Sequence, residues 1–190
     1  DINGEVRYFE SRLVKCGEES VLSIIRDITE KTVIDKINTV KSKISLFASN
    51  FEDITLFYLF LYEQLTQLLD IESVFLASYD SNKKELTTLF EMDDREQIGT
   101  WSSENSITGY MLSSGKGLIL SEREIVSLIE SKRVVNTGVI AKSWIGAPVY
   151  IKDKIFGAIV LQNYTKEGLY SVEDLDLLTF IANTVSIAIQ

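Results

Sequence analysis

The chain has 190 residues, 45% of them hydrophobic, which is typical of one domain with an appendage and sufficient for a core. Its formal net charge of −9 comes from dispersed acids, and Lys and Arg form no basic stripe, which argues against binding to nucleic acid or to an anionic membrane. The single cysteine, Cys16, excludes an intramolecular disulfide and a cysteine-based zinc site, and the absence of histidine removes the commonest metal ligand and general base.

No segment has the composition of a membrane span or of a targeting leader. No apolar run approaches bilayer length and no basic-then-apolar leader is present, so we expect a soluble, cytoplasmic segment. The sequence begins at Asp1 without a methionine and stops at Gln190 within an apolar helical pattern. We therefore interpret it as part of a larger protein whose output domain lies outside these residues.

The first segment, residues 1–29, predicts a β-hairpin. Two strands, at 5–15 and 20–26, flank a short turn-forming stretch. The Asp27 carboxylate and the Thr29 hydroxyl are placed to accept hydrogen bonds from the first N–H groups of the next helix. A hairpin of about 27 residues cannot bury an independent core, so it needs a neighbour.

The hairpin resembles the end of a known sensory domain. The segment Asn3-Gly-Glu-Val-Arg-Tyr-Phe-Glu10, followed by Ile24-Ile-Arg-Asp-Ile-Thr-Glu30, is similar to the final hairpin of a PAS domain and the Asp-Ile-Thr junction that ends it. This resemblance implies that residues 1–29 are the carboxyl-terminal part of an incomplete PAS domain. An ordinary hairpin packed on the main domain is the alternative.

A long helical pattern begins at Val33. Apolar residues recur in alternating steps of four and three as far as Leu68, which is the a/d pattern of a coiled coil sustained over about five heptads. Residues 30–50 are therefore predicted to be a coiled-coil signalling helix that needs a partner helix. The segment Ser49-Asn-Phe-Glu52 fits a capping box that would start a fresh helix, and the sequence leaves the continuity of the helix open.

Two helices carry more apolar surface than one sheet can cover. The segment Leu56-Phe-Tyr-Leu-Phe-Leu-Tyr62 is apolar on all sides, and the last helix has two apolar stripes. This pattern predicts a four-helix bundle between two copies of the chain or, alternatively, two helices that pack on each other within one copy. The residues predicted to form the dimer and signalling helices are Val33, Ile37, Val40, Ile44, Phe47, Leu61, Leu65, Leu178 and Val185.

The middle of the chain predicts short strands and two capped helices. Ser106 is placed to cap the first helix, and Ser121 with Glu124 forms a capping box for the second. The predicted elements, in chain order, are a hairpin of strands at 73–79 and 85–92, a helix at 106–112, an edge strand at 118–120 and a helix at 121–131.

The last third of the chain decides the fold class. The segments 143–151 and 155–163 are rich in β-branched and aromatic residues, as strands are. The polar residues between them suit a tight antiparallel hairpin and are too few for a parallel crossover. Ser171 then precedes two acids that favour the first turn of a helix, which runs to the end of the chain.

This region resembles the carboxyl-terminal half of a GAF domain, a small-molecule-sensing module of many signalling proteins. The resemblance implies an α+β fold in which a central antiparallel sheet has the N- and C-terminal helices on one face and a ligand-pocket region on the other. It extends upstream to Phe51, so the GAF domain is assigned to 51–190. The matching segments are Ser143-Trp-Ile-Gly-Ala-Pro148, Phe156-Gly-Ala-Ile-Val-Leu-Gln-Asn-Tyr164, Tyr170-Ser-Val-Glu-Asp174 and Leu177-Leu-Thr-Phe-Ile-Ala-Asn183.

Candidate pocket residues are those that supply an apolar wall and a few polar groups. Strand alternation shows that Ser143 and Trp144 face opposite ways, but not which of them faces the pocket. Each aromatic residue is alternatively a plain core residue. The ligand-binding candidates are Trp101, Tyr110, Ser121, Ser143, Trp144, Gln162 and Tyr164.

Departures from the resembled family limit the ligand and argue against catalysis. The motif of cyclic-nucleotide-binding GAF domains is not evident, and the cysteine set of the sulfoxide-reductase branch is missing. A bilin would need a cysteine or histidine in this domain and a haem an axial histidine, and neither residue occurs beyond Cys16. We therefore predict no catalytic or metal-binding residue and no haem, bilin or metal, and the ligand is unknown.

Two hypotheses about function follow from the sequence. The first is a sensory domain that binds a small molecule and shifts the flanking helices of a homodimer, driven by the ligand's different affinities for two helix arrangements. The second is a ligand-free module for dimerisation and signal relay between a PAS domain and an output domain. The resemblance implies that the parent protein is a bacterial histidine kinase of a two-component system or a diguanylate cyclase.

Overall fold

A computed structural model describes residues 6–95, 97, 99–135 and 138–189. The chain divides into two compact units, Asp1–Ser42 and Lys43–Gln190. Among the described residues, no helix is both long and apolar enough to cross a membrane.

The first unit contains an antiparallel hairpin and the beginning of a helix. Strands β1 (Phe9–Lys15) and β2 (Val21–Asp27) pair from Phe9 opposite Asp27 to Lys15 opposite Val21, and helix α1 (Thr29–Ala48) follows. The predicted hairpin is therefore confirmed, although β1 begins at Phe9 and Glu5 lies outside the described residues. Every residue of both strands is exposed.

The cap of α1 differs in part from the prediction. The Asp27 carboxylate accepts a hydrogen bond from the Thr29 backbone N–H at 2.9 Å, as expected of a cap. The Thr29 hydroxyl instead accepts from the backbone N–H of Tyr8 at 2.8 Å. The predicted role of the Thr29 hydroxyl as a helix cap was wrong, because Thr29 is itself the first residue of α1. The hydroxyl instead connects the residues before β1 to the start of the helix.

The linker helix is not continuous into the next helix. Helix α1 ends at Ala48, and α2 (Ile54–Thr66) begins after the N-cap Asp53, whose carboxylate accepts from Thr55 N–H at 2.7 Å. The break lies where the sequence placed a possible one, but the proposed capping box at Ser49 was wrong. Asp53 is the better cap because its extended backbone and carboxylate satisfy the first free N–H groups of α2.

The second unit is built on a six-stranded antiparallel sheet. Its elements after α2 are β3 (Ser73–Asp80), β4 (Glu85–Asp93), β5 (Thr100–Ser102), α3 (Ile107–Ser114), β6 (Leu118–Ser121), α4 (Glu122–Glu130), β7 (Ser143–Ile151), β8 (Lys154–Asn163) and α5 (Val172–Ile189). The strand order in the sheet is β5-β4-β3-β8-β7-β6. The predicted α+β architecture is confirmed.

Helices α2 and α5 pack on one face of this sheet. Leu61 of α2 and Val185 of α5 surround one small internal void together with Val74, Leu76 and Ile159 of the central strands. Both apolar stripes of α5 are largely buried in the folded chain. The surplus apolar surface of α5 is therefore used mainly within one copy.

The other face of the sheet is covered by α3 and α4. Both helices have the predicted caps: Ser106 accepts from Gly109 N–H at 3.0 Å, and Ser121 forms a reciprocal capping box with Glu124. Gly115 ends α3 in the left-handed conformation, which glycine adopts without steric cost. These short capped helices place a second layer over the strands.

The β7–β8 hairpin closes through a two-residue turn, as the short polar connection predicted. Ile151 pairs with Lys154, and the two residues between them, Lys152 and Asp153, have φ values of 49° and 62°. Two successive residues with positive φ are the mark of a type I′ turn, which matches the twist of the flanking strands.

Candidate functional site

The sheet face covered by α3 and α4, called here the α3–α4 face, holds some of the side chains that the sequence suggested for a pocket: Trp144, Gln162 and Tyr164, with Trp101 packed against them. Its buried members come from five strands or strand ends and from both covering helices. They are Phe75, Ala77, Leu86, Met111, Leu112, Leu120, Ile125, Ala141, Trp144, Ala158, Val160 and Tyr164.

Trp144 lies on the α3–α4 face and is only 2% exposed. Its ring crosses Gly146, two residues along the same strand. A Cβ on Gly146 would lie 2.5 Å from Cη2 of Trp144 and 2.8 Å from Sδ of Met111. Glycine at this position therefore provides the space in which the indole ring packs.

Ser143 faces the opposite side of β7 from Trp144, as alternation requires. Its buried hydroxyl donates to the carbonyl oxygen of Lys166 at 2.8 Å and accepts from the N–H of Leu169 at 3.0 Å. Both bonds attach β7 to the segment that leads into α5. Ser143 thus has a structural role in this arrangement, and its hydroxyl is already used.

One row of side chains runs across three strands of the α3–α4 face. The register places Ser73 of β3 opposite Gln162 of β8, and Gln162 opposite Trp144 of β7. Because Phe75, Val160 and Trp144 lie on this face, alternation puts Ser73 and Gln162 there as well. Directly opposed side chains have Cβ atoms about 4.5–5.5 Å apart, so the three form one continuous surface.

Ser73 is a site residue that the sequence did not suggest. It is 0% exposed, and its hydroxyl has no hydrogen-bond partner in the described part of the chain. The Thr88 hydroxyl, on the same face by its pairing with Ala77, is likewise buried and unpaired. Natural proteins satisfy nearly all buried polar groups, so an unpaired hydroxyl marks a place where a ligand can complete the bonding.

Removing either unpaired hydroxyl is expected to stabilise the ligand-free protein. Ser73→Ala and Thr88→Val each delete a buried polar group that makes no compensating bond, so each should raise the free energy of unfolding by about 1 kcal/mol. Urea denaturation of the two variants measures this. A loss of stability in both would mean that the hydroxyls are satisfied in the free protein, and would contradict their assignment as unpaired.

Trp101 and Tyr110 are both half-buried, and Trp101 packs against the margin of the α3–α4 face. The half-buried Trp101 on β5 meets Phe75 edge to face, with ring centroids 5.7 Å apart and planes at 89°. Tyr110 is half-buried on α3. Of the two, Trp101 is thus in direct contact with a side chain of this face.

Ser121 is occupied by its capping role. Its hydroxyl donates to Oε2 of Glu124 at 2.7 Å, and the same carboxylate oxygen accepts from the Ser121 backbone N–H at 2.8 Å. These bonds, the backbone one foremost, lower the pKa of Glu124. The Ser121 side chain therefore caps the N-terminus of α4.

Tyr164 connects the α3–α4 face to a cluster of charged groups. Its hydroxyl donates to Oδ2 of Asp93 at 2.6 Å, and its backbone N–H donates to Oε2 of Glu72 at 3.2 Å. The Arg95 guanidinium lies 4.6 Å from the centre of the Tyr164 ring and pairs with Glu72 at 3.2 Å. Thr165 also donates to Glu72. Glu72 thus joins the start of β3 to the segment that precedes α5.

The residues predicted for the dimer and signalling helices occupy different environments. Val33 is exposed, Ile37 is half-buried and Val40 is buried. Phe47 is half-buried and stacks on Phe60 at 4.3 Å. Those buried at 4% exposure or less in the folded chain are Val40, Ile44, Leu61, Leu65, Leu178 and Val185.

The apolar helix surface that is open to a partner includes Val33 and several residues outside the predicted set. Leu46 of α1, Leu56 and Leu59 of α2 and Ile187 of α5 are all exposed. Leu56 and Leu59 are three residues apart and so share one face of α2. Sequence periodicity could not separate these residues from the buried ones, since both kinds are large and aliphatic.

The described residues of the second unit contain no evident metal-binding cluster. Within residues 6–95, 97, 99–135 and 138–189, no group of three or more His, Cys, Asp or Glu side chains could hold a metal ion. The free thiol of Cys16 is exposed at the β1–β2 turn in the first unit. The chemistry of the α3–α4 face is therefore that of aromatic, amide, hydroxyl and carboxylate groups.

Comparison with known proteins agrees with this architecture. The model of the family described as "GAF domain" matches residues 53–190. No curated protein matches the chain.

Several solved structures share the fold at low sequence identity. The GAF domain from an Acinetobacter phosphoenolpyruvate-protein phosphotransferase has 15% identity and a TM-score of 0.65, covering 83% of this chain and 92% of that one. The free methionine-R-sulfoxide reductase from Neisseria meningitidis, solved with its substrate, has 11% identity and a TM-score of 0.66, covering 80% and 87%. Residues 122 to 287 of a methyl-accepting chemotaxis protein have 15% identity and a TM-score of 0.62, covering 77% and 94%.

Proposed function

The chain belongs to the GAF domain family over residues 53–190, and on this premise we propose that it is the small-molecule-sensing domain of a multidomain signalling protein. The observation that carries the proposal is the row of Ser73, Gln162 and Trp144, in which a buried hydroxyl without a partner lies in register with an amide and an indole. A mostly apolar site with a few polar groups is typical of small-molecule binding.

The proposal includes a route from the site to the rest of the protein. Tyr164 is a member of the α3–α4 face, and its backbone and hydroxyl are bonded to Glu72 and Asp93 at the entrance to the segment that leads into α5. A ligand next to Gln162 would lie two residues from Tyr164. Its differential affinity for two positions of this segment would supply the free energy for a shift of α5.

A homodimer through the N- and C-terminal helices is part of the same proposal. It is supported by the exposed apolar residues Leu46, Leu56, Leu59 and Ile187 on these helices, of which Leu56 and Leu59 share one face of α2, since exposed apolar surface often marks an interface. In this arrangement the helices pass the signal to an output domain of a bacterial histidine kinase or diguanylate cyclase.

A PAS domain upstream is proposed from the hairpin of the first unit. The side chains of Phe9, Leu13, Val21 and Ile25 lie on one face of β1–β2, by register and alternation, and each is more than half exposed. Two strands with an uncovered apolar face are marginal alone and need a larger sheet or a helix against them. The hairpin would supply the last two strands of such a sheet.

We propose a binding role rather than a catalytic one for this domain. One structural relative is a free methionine-R-sulfoxide reductase, so the fold itself is compatible with an enzyme. In this chain the only cysteine, Cys16, lies outside residues 53–190 and histidine is absent. These residue types are the usual nucleophile and general base of such small sites.

A ligand-free relay module is a second candidate function, favoured by one observation. Trp144 is 2% exposed and Met111 is 0% exposed, so side chains of the domain itself already pack the centre of the α3–α4 face. In this hypothesis the domain dimerises and transmits a signal without a ligand.

Native mass spectrometry of the protein as purified from cells separates the two candidates. We expect a dimer that carries an additional small mass per chain relative to the denatured protein, because a ligand on an enclosed face dissociates slowly. A dimer without added mass, and without any stabilisation in a thermal-shift screen of metabolites, would contradict the sensor proposal and favour the relay module.

The dimer is tested by a charged substitution on the exposed face of α2. Leu59→Glu should convert the dimer into a monomer at micromolar concentration, because a carboxylate buried in an apolar interface has no partner. Leu89→Glu on β4 is the matched control, since Leu59 and Leu89 are 41% and 43% exposed. Sedimentation velocity distinguishes the species. Unchanged dimers in Leu59→Glu, or a monomeric unmodified chain, would contradict the proposed helix interface.

A further inference from the structure

Ser73 and Gln162 form the polar end of the row on the α3–α4 face, and their hydrogen-bonding groups define which ligand groups this end can bind. Ser73 and Gln162 face each other across β3 and β8. A serine hydroxyl and a glutamine carboxamide can each donate and accept a hydrogen bond. A group with a donor and an acceptor close together, such as a carboxamide or a lactam, uses both capacities of this pair at once.

Charges around this end disfavour an anionic ligand. Ser73 pairs with Asp93 on β4, the strand on the other side of β3 from β8, and Glu72 precedes Ser73 in the chain. Two cations lie near this end: Arg95 is paired with Glu72 and lies over the Tyr164 ring, and Lys166 is paired with Asp70. A carboxylate or phosphate at Ser73 would meet two carboxylates at close range without a free counter-charge among these groups.

A cationic ligand is disfavoured for a different reason. The Asp93 carboxylate already accepts from the Tyr164 hydroxyl and the Arg95 backbone N–H, and Glu72 accepts from Tyr164, Thr165 and Arg95. A ligand cation would therefore have to compete with the donors that these acids already hold. A buried cation without such a partner would lose its hydration without compensation.

The apolar part of the row favours a flat ligand body. Trp144 follows Gln162 in the row, and its ring lies over Gly146, which pairs with Val160. Phe75 is the next neighbour of Ser73 on the same face of β3. Aromatic rings prefer offset-stacked or edge-to-face contacts with other planar groups, so a planar body fits beside these side chains.

From these contacts we infer that Ser73 and Gln162 recognise an uncharged carboxamide or lactam attached to a planar, mostly apolar ring, and that Trp144 contacts this ring. The inference rests on the proposed small-molecule site and names its ligand class. Ser73 is expected to contribute most to the choice of ligand, because its hydroxyl is unpaired in the free domain and gains a partner when such a ligand is bound.

Three probes of similar size and shape test the ligand class on the full chain. Benzamide carries the required donor and acceptor, benzoate is its anionic counterpart, and acetophenone retains only the acceptor. Each is titrated while the indole N–H signals of Trp101 and Trp144 are followed by NMR, with assignment by Trp101→Phe. We expect benzamide to shift the Trp144 signal at concentrations at least about tenfold lower than either analogue, the factor that corresponds to one lost hydrogen bond.

Variants then locate the polar contact. Ser73→Ala and Gln162→Met should each weaken benzamide binding about tenfold, since each removes one partner of the amide. Ser78→Ala is the matched control: Ser78 lies on β3 but faces the opposite side, where its hydroxyl donates to the Thr87 carbonyl oxygen. It should leave benzamide binding unchanged.

The outcomes separate this inference from the proposed function. Preference for benzoate or acetophenone, or benzamide binding that is insensitive to Ser73→Ala, would overturn the ligand class and leave a small-molecule sensor in place. If none of the three probes shifts the Trp144 signal, the ligand class is also overturned. The sensor proposal fails together with the ligand class only if the native mass also equals that of the chain without a ligand.

Discussion

Gly157→Ala is expected to unfold or severely destabilise the second unit. Gly157 lies in β8, opposite Ser78 of β3 and Val149 of β7. A Cβ at this position would overlap the backbone carbonyl oxygen of Ala77, well inside 3.0 Å. A backbone atom in a central strand cannot move aside without separating β3 from β8, which also carry the row of Ser73 and Gln162.

The expected cost is at least about 3 kcal/mol, a large part of the 5–15 kcal/mol typical of a whole domain. Urea denaturation followed by circular dichroism measures it. Gly168→Ala is the control, because Gly168 has a φ of +66° but no atom within 4 Å of an added Cβ. It should lose only about 1 kcal/mol, the cost of a left-handed backbone for alanine. If the two variants lose the same amount, β3 and β8 do not pair closely at Gly157.

Local signals in the sequence predicted much of the fold. Ser121 and Glu124 are three residues apart, and each satisfies a backbone N–H of the other, so the start of α4 needs no distant information. The β7–β8 hairpin is similar, since a two-residue turn leaves only the antiparallel pairing. These elements were predicted because the groups that stabilise them are close in the chain.

The heptad pattern was harder to interpret for a physical reason. Its steps continue from Val33 to Leu68, but the backbone breaks between α1 and α2, and Leu61 and Leu65 face the sheet of their own domain. A helix that packs on a sheet and a helix that packs on a partner both need an apolar stripe with nearly the same period. Periodicity therefore predicts the stripe and not what covers it.

The row on the α3–α4 face could not be predicted because it depends on strand register. Ser73 and Gln162 are far apart in the chain, and they meet only because β3 pairs with β8 in one particular register. A shift of one residue would turn either side chain to the opposite face. Trp144 and Gln162 were suggested individually from their residue types, whereas Ser73 stands at the first position of a strand and has no distinguishing local signal.

Trp144→Ala is expected to have the other large effect. A buried aromatic side chain truncated to alanine typically costs about 3–5 kcal/mol, because the apolar contact is lost and a cavity is left. Trp144 fits this case since it is 2% exposed and packs across Gly146 against Met111. Urea denaturation measures the loss in the free energy of unfolding. Trp101→Phe is the control, and its expected loss is smaller because Trp101 is only half-buried. A loss below about 1 kcal/mol would mean that the indole is not packed in the core.

The same position also separates a sensor from a relay, provided that the variant still folds. Trp144→Phe keeps an aromatic ring and should lose only about 1–2 kcal/mol, because part of the volume is conserved. If a ligand stacks on the indole, the smaller ring of this folded variant should weaken binding, so that the additional mass in native spectra and the thermal response to benzamide both decrease. If the domain is a ligand-free relay, the variant lowers stability and changes nothing else. A bound mass and a benzamide response that are both unchanged in Trp144→Phe would place the ligand away from the row that begins at Ser73.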